Sequence, residues 1–209
     1  MNKNIKNLQL YILSTSLIIF FLLAFINSED GTMYFDQNIR NFALGISNTN
    51  IEDLMQIISL PGTLYGILIT SLTLSIFAYF RLNLKSSLLP LLIVPLVAMN
   101  ETIKPLIGRP RPGDASSFGF PSSHAFETIL VMGLIWFIFV NNNSKESSKR
   151  ILLGIMLLWS TAVGISRIYL DRHWFTDIIG GYALGIIILC LTFFKYILSL
   201  YFGKPPTIQ

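Results

Sequence analysis

Two histidines, His124 and His173, are all the chain has. Each stands in a segment crowded with polar and charged residues. His173 belongs to "SRIYLDRHWFTD" (166–177), which also holds Arg167, Asp171, Arg172 and Asp177. His124 belongs to "FPSSHAFE" (120–127), and a third segment, "KPLIGRPRP" (104–112), carries Lys104, Arg109 and Arg111. His173 and Asp177 are four apart, so on a helix beginning near Arg172 they share a face. Asp177 can then accept a proton from one imidazole nitrogen, which fixes the tautomer and leaves the other nitrogen free as a nucleophile. Two histidines with different partners can divide the work, one attacking phosphorus and the other protonating a leaving group. Lys104 offers an ammonium, and Arg111 and Arg167 offer planar forks that suit phosphate oxygens. Pro112 stiffens the loop behind Arg111. Pro121-Ser122-Ser123-His124 precedes a long apolar run and reads as a helix start. Ser122 or Ser123 can cap that helix, and its free N–H groups face an anion beside His124.

The elements that carry these residues are hydrophobic. Of 209 residues, 53% are hydrophobic and 12% charged, with mean hydropathy +0.63. Soluble domains carry about twice that charge. The apolar residues fall into six runs near spanning length, at roughly 8–26, 62–80, 87–103, 124–140, 151–168 and 175–201. The expectation is a single all-α domain over 1–209, a polytopic helix bundle with six transmembrane helices. A net charge of +4 with no basic stripe argues against a nucleic-acid partner. Cys190 stands alone, so no internal disulfide forms. The N-terminal apolar run lacks a small-residue cleavage site and reads as an uncleaved first span.

With both termini in the cytoplasm, nine basic residues lie inside (Lys3, Lys6, Arg81, Lys85, Lys145, Lys149, Arg150, Lys195, Lys204) and six outside. Five of those six belong to the charged segments; without them only Arg40 remains outside, and the positive-inside rule is obeyed. The three segments then converge on the extracytoplasmic face. A charge costs about 2.5–3.5 kcal/mol at the centre of a spanning helix and less near the interface, so this many on one face need partners. The outer loop before the second span is long for a bare connection. Its Phe35, Ile39, Phe42 and Ile46 recur at helical spacing and suit an amphipathic surface helix with no chemistry of its own.

The pattern resembles the type 2 phosphatidic acid phosphatase family, membrane lipid phosphatases that share a catalytic core with vanadium haloperoxidases. That family carries K-x6-R-P, P-S-G-H and S-R-x5-H-x3-D. Here Lys104, Arg111 and Pro112 match the first part, Pro121, Ser122 and His124 the second, and Ser166, Arg167, His173 and Asp177 the third. A three-part pattern is far more specific than any one piece. Ser123 replaces the motif glycine; it keeps the backbone N–H and adds a side chain. The resemblance implies that His173 attacks phosphorus to form a phosphohistidine, that Asp177 orients it, and that His124 protonates the leaving oxygen and later activates water. It implies that Lys104, Arg111, Ser122, the N–H of Ser123 and Arg167 hold the phosphoryl oxygens. No metal or other cofactor is implied, and the sequence offers neither an acidic magnesium cluster nor a third histidine for zinc.

The partner implied is a membrane lipid phosphate. Chains of this length and layout resemble undecaprenyl-diphosphate and phosphatidylglycerophosphate phosphatases, and an outward site favours undecaprenyl diphosphate. A lipid phosphotransferase would use the same phosphohistidine. A non-catalytic lipid-binding protein would have lost at least one of His124, His173, Asp177 or the basic trio Lys104, Arg111 and Arg167, and none of these is lost. Outside the motif, Arg109 and Arg172 read as interface anchors, and Asp171 as a partner of Arg172 or Arg167. Glu101 reads as an ion-pair partner of Lys104, and Glu127 as a first-turn acid. Tyr169, Trp174 and Tyr182 read as an aromatic belt. "GGYALG" (180–185) offers small residues for close helix packing.

Overall fold

The structure, a computed structural model, describes residues 3–27, 34–140 and 144–192; the side chains of residues 3–6 lie outside the description. Also outside it fall Glu29, Asp30, Lys195, Lys204, part of the polar turn after the fourth apolar run, and the end of the last expected span.

The described residues form an all-helical bundle. Apolar helices stand at all six expected places. Among the described residues, five stretches are long and apolar enough to cross a membrane: Asn7–Asn27 within α1 (Lys3–Asn27), α4 (Leu64–Arg81), the stretch Leu84–Ile107, α8 (Glu146–Tyr169) and α9 (Phe175–Thr192). The sixth, α7 (Ser123–Phe139), has 17 residues. It is apolar on every side, as a helix enclosed by others must be. It packs on α9, α8, α4 and Leu84–Ile107, and buries Phe126, Leu130, Leu134 and Phe137. Lipid tails are as apolar as leucine, so close backbone approach rather than water exclusion drives such packing. The glycines of α9 supply it: a Cβ at Gly181 would meet the Ser122 carbonyl and Ala125, and one at Gly185 would meet Ile129.

The third expected span, 87–103, is composite. Asn83 caps the short helix α5 (Leu84–Ser87), a 3-10 turn follows at Pro90–Leu92, and α6 runs Ile93–Ile107. It continues a turn past the expected end because Pro105 falls in its last turn and costs only the bond to the Glu101 carbonyl. Gly108, at φ 76°, then closes the helix in the left-handed region, its N–H on the Lys104 carbonyl at 2.9 Å. Lys104 is thereby held inside a helix rather than in a loop.

The long loop before α4 folds into two helices, the expected α2 (Tyr34–Gly45) and an unexpected α3 (Thr49–Ser59), whose N-cap Asn48 accepts from the Ile51 N–H at 3.1 Å. Phe35, Phe42 and Ile46 are exposed, while Asp36 and Ala43 face inward and are buried. Residues 108–122 form a tight excursion. Arg111 N–H donates to the Ser117 carbonyl (3.0 Å) and Gly119 N–H to the Arg109 carbonyl (2.8 Å). At its tip, hydrogen bonds from Ser116 and Ser117 hold the Asp114 carboxyl below its usual range.

Candidate active site

Helix α9 begins at Phe175, not near Arg172, so His173 lies just ahead of it. Its contact with Asp177 survives because Asp177 occupies the third helical position and reaches back to the chain entering the helix. One Asp177 oxygen, Oδ2, accepts the Trp174 N–H at 3.0 Å and lies 3.4 Å from His173 Nδ1. A proton on Nδ1 leaves Nε2 as the nitrogen with a free lone pair. His173 is 2% exposed. Burial pushes its pKa down to about 4; Asp177 pulls it upward, and Arg111 and Arg167 oppose that pull. The imidazole is therefore neutral at pH 7, as a nucleophile requires.

The other Asp177 oxygen engages Arg109. Read from sequence as an interface anchor, Arg109 is 3% exposed. Its guanidinium donates to Asp177 Oδ1 (2.5 Å), Thr176 Oγ1 (2.6 Å) and Asp36 Oδ2 (2.6 Å). Asp36 in turn accepts the Thr176 N–H (3.0 Å) and hydroxyl (2.6 Å). Two fully buried carboxylates around one guanidinium explain the location, since buried charges must be paired. The surface helix α2 thus joins the site, contrary to the expectation that it carries no chemistry. Its Arg40 makes a bidentate pair with Asp171 (2.7 and 2.7 Å), which raises the Arg40 pKa and replaces the expected pairing of Asp171 with Arg167 or Arg172. Arg172 itself is exposed.

His124 sits in the first turn of α7, its ring so close to Gly62 that a Cβ there would overlap the imidazole. Its Nε2 is buried without a hydrogen-bond partner, as are Ser122 Oγ and Arg167 Nε. Ser122 holds the N-cap position, but its side chain does not cap the helix; its N–H instead bonds the Asp177 carbonyl at 3.0 Å. The hydroxyl of Ser123 accepts from Asn100 Nδ2 (2.7 Å) and donates to Glu101 Oε1 (2.5 Å). Lys104 Nζ donates to the same Glu101 oxygen at 2.7 Å, the ion pair expected from their spacing. Arg111 Nε donates to the Phe118 carbonyl at 3.1 Å.

Lys104, Arg111, Ser123, His124 and His173 line one cavity of about 430 Å³. Its wall continues into an apolar stretch formed by Leu64, Ile67, Val94, Val97 and Ala98, between α4 and α6. The positive charges of Arg167, Lys104 and Arg111 all bear on His124. The motif residues, spread over 74 positions of sequence, therefore share one end of the bundle.

Other expectations shift. The aromatic residues are structural rather than a belt: Trp174 Nε1 donates to the Pro110 carbonyl (3.0 Å), Tyr169 OH to the Ile46 carbonyl (3.1 Å) and Tyr182 OH to the Ser160 carbonyl (2.5 Å). Glu127 falls past the first turn of α7 rather than in it, and is 2% exposed with Oε2 unpartnered. Asp36, Arg109, Thr176 and Asn100 were missed. The one available signal was Asp36 and Arg40, four apart on a helix otherwise read by its apolar face.

An apolar helix bundle with Lys104, Arg111 and two histidines lining one cavity, and a buried histidine–aspartate pair beside it, defines an integral-membrane protein with a positively charged cavity. Comparison with known proteins makes this specific. The profile of the PAP2 superfamily matches residues 65–198, and the chain belongs to that superfamily. It is 35% identical over 99 residues to phosphatidylglycerophosphatase B of Bacillus subtilis (strain 168), a match covering 44% of this chain and 49% of that one. It is 28% identical over 110 residues to lipid phosphate phosphatase delta of Arabidopsis thaliana, covering 44% and 26%. The chain thus spans half or less of the length of these relatives. The fold matches the crystal structure of a transmembrane PAP2-type phosphatidylglycerolphosphate phosphatase from Bacillus subtilis with a TM-score of 0.75, at 24% identity over 88% of this chain and 96% of that one.

Proposed function

We propose that the protein is a membrane lipid phosphatase that works through a phosphohistidine. The observation that carries this reading is a set of three buried polar atoms without protein partners, Ser122 Oγ, His124 Nε2 and Arg167 Nε. They belong to residues that the motif assigns to one phosphoryl group. Buried polar atoms in native proteins are nearly always paired, and phosphate oxygens would pair these.

His173 Nε2 attacks phosphorus in line, and the bond to the leaving oxygen breaks. His124, protonated when substrate is bound, delivers a proton to that oxygen. Water, deprotonated by His124, then attacks the phosphohistidine and returns His173 to its neutral form. Asp177 holds the His173 tautomer and stabilises the imidazolium side of the reaction. Lys104, Arg111, Arg167, Ser122 and the Ser123 N–H stabilise the charge on the equatorial oxygens, the largest contribution in such reactions. The lipid tail lies in the apolar stretch between α4 and α6, so that a headgroup enters sideways from the bilayer. The whole chain acts as one domain, with both termini cytoplasmic and the site on the extracytoplasmic face.

The preferred substrate class is a lipid phosphomonoester such as phosphatidylglycerophosphate, which the name of the Bacillus relative supports; undecaprenyl diphosphate is the competing substrate. The test is phosphate release by purified protein in detergent with EDTA, offered phosphatidylglycerophosphate, phosphatidic acid and undecaprenyl diphosphate, alongside His173→Ala. Release that persists in EDTA and disappears in the variant is expected. Release by the variant at the wild-type rate would sink the phosphohistidine.

A further inference from the structure

Helix α6 presents an ordered file of side chains to the cavity. Val94, Val97 and Ala98 come first, then Glu101, then Lys104. These positions recur at helical spacing, so they stack along one face. The apolar members suit a lipid tail, and Lys104 suits the phosphoryl group to be transferred. The group bonded directly to the transferred phosphoryl therefore lies beside Glu101, the neighbour of Lys104 on that face.

Glu101 is fixed where it stands. Its Oε1 accepts both Lys104 Nζ (2.7 Å) and the Ser123 hydroxyl (2.5 Å). Asn100, fully buried, donates to the Ser123 oxygen at 2.7 Å and so leaves the hydroxyl proton for Glu101. Ser123 is the residue standing where the motif has glycine, and a glycine would leave Glu101 without this anchor. The Glu101 side chain remains 53% exposed, so the carboxylate meets what enters the cavity. His124, to which the motif gives the leaving oxygen, follows Ser123 directly in the chain and lines the same cavity.

We infer that Glu101, held by Ser123, selects for an alcohol leaving group that carries a hydroxyl beside the transferred phosphoryl group, as the terminal glycerol of phosphatidylglycerophosphate does, and against a second phosphate bonded directly to it. In a phosphomonoester the leaving group is an alcohol, and a neighbouring hydroxyl can donate to the carboxylate. In a diphosphate the leaving group is itself a phosphate, and its charge meets that of Glu101. This inference rests on the phosphatase reading above and concerns the substrate class of the same site.

The experiment compares kcat/KM for dioleoyl phosphatidylglycerophosphate and undecaprenyl diphosphate in the wild type, Glu101→Gln and Ser123→Gly. Glutamine keeps the shape and the hydrogen-bonding oxygen but loses the charge. The wild type is expected to favour the monoester. Glu101→Gln is expected to shift the ratio towards the diphosphate by about tenfold, as removal of one unit charge about 6 Å away does at an effective dielectric of about 40, between that of a protein surface and that of water. The shift should appear mainly in KM, and Ser123→Gly should move the ratio the same way by less. A folded Glu101→Gln protein that leaves the ratio unchanged, or loses both activities equally, overturns the inference while the phosphatase reading stands. Should Glu101→Gln not fold, an unmoved ratio in Ser123→Gly overturns it instead. A wild type inactive on both lipids removes the phosphatase reading and this inference with it.

Discussion

Replacing Asp36 with asparagine tests whether the surface helix α2 is part of the site. Asp36 is 1% exposed and accepts three hydrogen bonds, two from Thr176 and one from Arg109. Asparagine has one accepting oxygen, so it must give up either the Thr176 N–H or both donors at Oδ2. It also removes a charge from a buried pair, a change that costs about 3–5 kcal/mol when the partner stays behind. For a chain of this size that corresponds to a fall in Tm of roughly 6–20 °C. The effect should reach catalysis as well. Thr176 adjoins Asp177, and Arg109 holds the Asp177 oxygen that does not face His173. A displacement of Asp177 by about 1 Å is worth on the order of a hundredfold in rate. Thermal unfolding in detergent and kcat for phosphate release read the two effects separately. An Asp36→Asn protein with unaltered Tm and unaltered kcat would refute the reasoning, because the buried network would then carry neither stability nor geometry.

The remaining expectations concern other parts of the same end of the bundle. His173 has its pKa depressed from 6.5 to about 4. The unfolded chain therefore binds the extra proton first as pH falls. The stability tied to this residue is intact above pH 6.5 and is lost between 6.5 and 4, by about 3 kcal/mol in all. In His124→Gln, His173 is the sole remaining histidine, and its NMR titration should show a midpoint near 4; a midpoint at or above 6.5 would contradict the buried neutral imidazole. Gly181→Ala places a Cβ 2.5 Å from the Ser122 carbonyl and 2.9 Å from Ala125 Cβ. It should force α9 from α7, cost about 1–3 kcal/mol and lower kcat; full activity and stability would show that the helices have room. Arg40→Ala removes a partly exposed pair with Asp171 and should cost about 1 kcal/mol or less. The loss should shrink in 1 M salt, and a large salt-independent loss would mark the pair as buried.

The motif residues were legible in the sequence because each chemical role restricts residue type. Six apolar runs were legible because a bilayer restricts length. What stayed hidden was whatever depends on contacts between distant segments. Arg109 looks like any basic residue at an interface until Asp36 and Asp177 are seen on either side of it. Lys104 followed by proline looks like a helix end, yet Gly108 is the residue that ends the helix. Tyr169, Trp174 and Tyr182 have the composition of a belt, and only their carbonyl partners reveal an internal role. Glu101 and Lys104 were the exception, because their partnership lies within a single helical turn.

The knot of Asp36, Arg109 and Thr176 also has a consequence for the order of synthesis. Asp36 and Thr176 are 140 residues apart, and Arg40 and Asp171 are 131 apart. A chain emerging from the ribosome delivers the α2 acid and the Arg109 guanidinium long before the segment that completes their pairing. Until α9 arrives, the nascent bundle holds charges with half their partners missing, and contacts of such long range are the slow ones in any chain. Insertion of the final hairpin is therefore the event that closes the site. A chain arrested before it would leave Asp36 without the Thr176 donors and Arg109 without the Asp177 carboxylate, the partners that bury both in the finished chain.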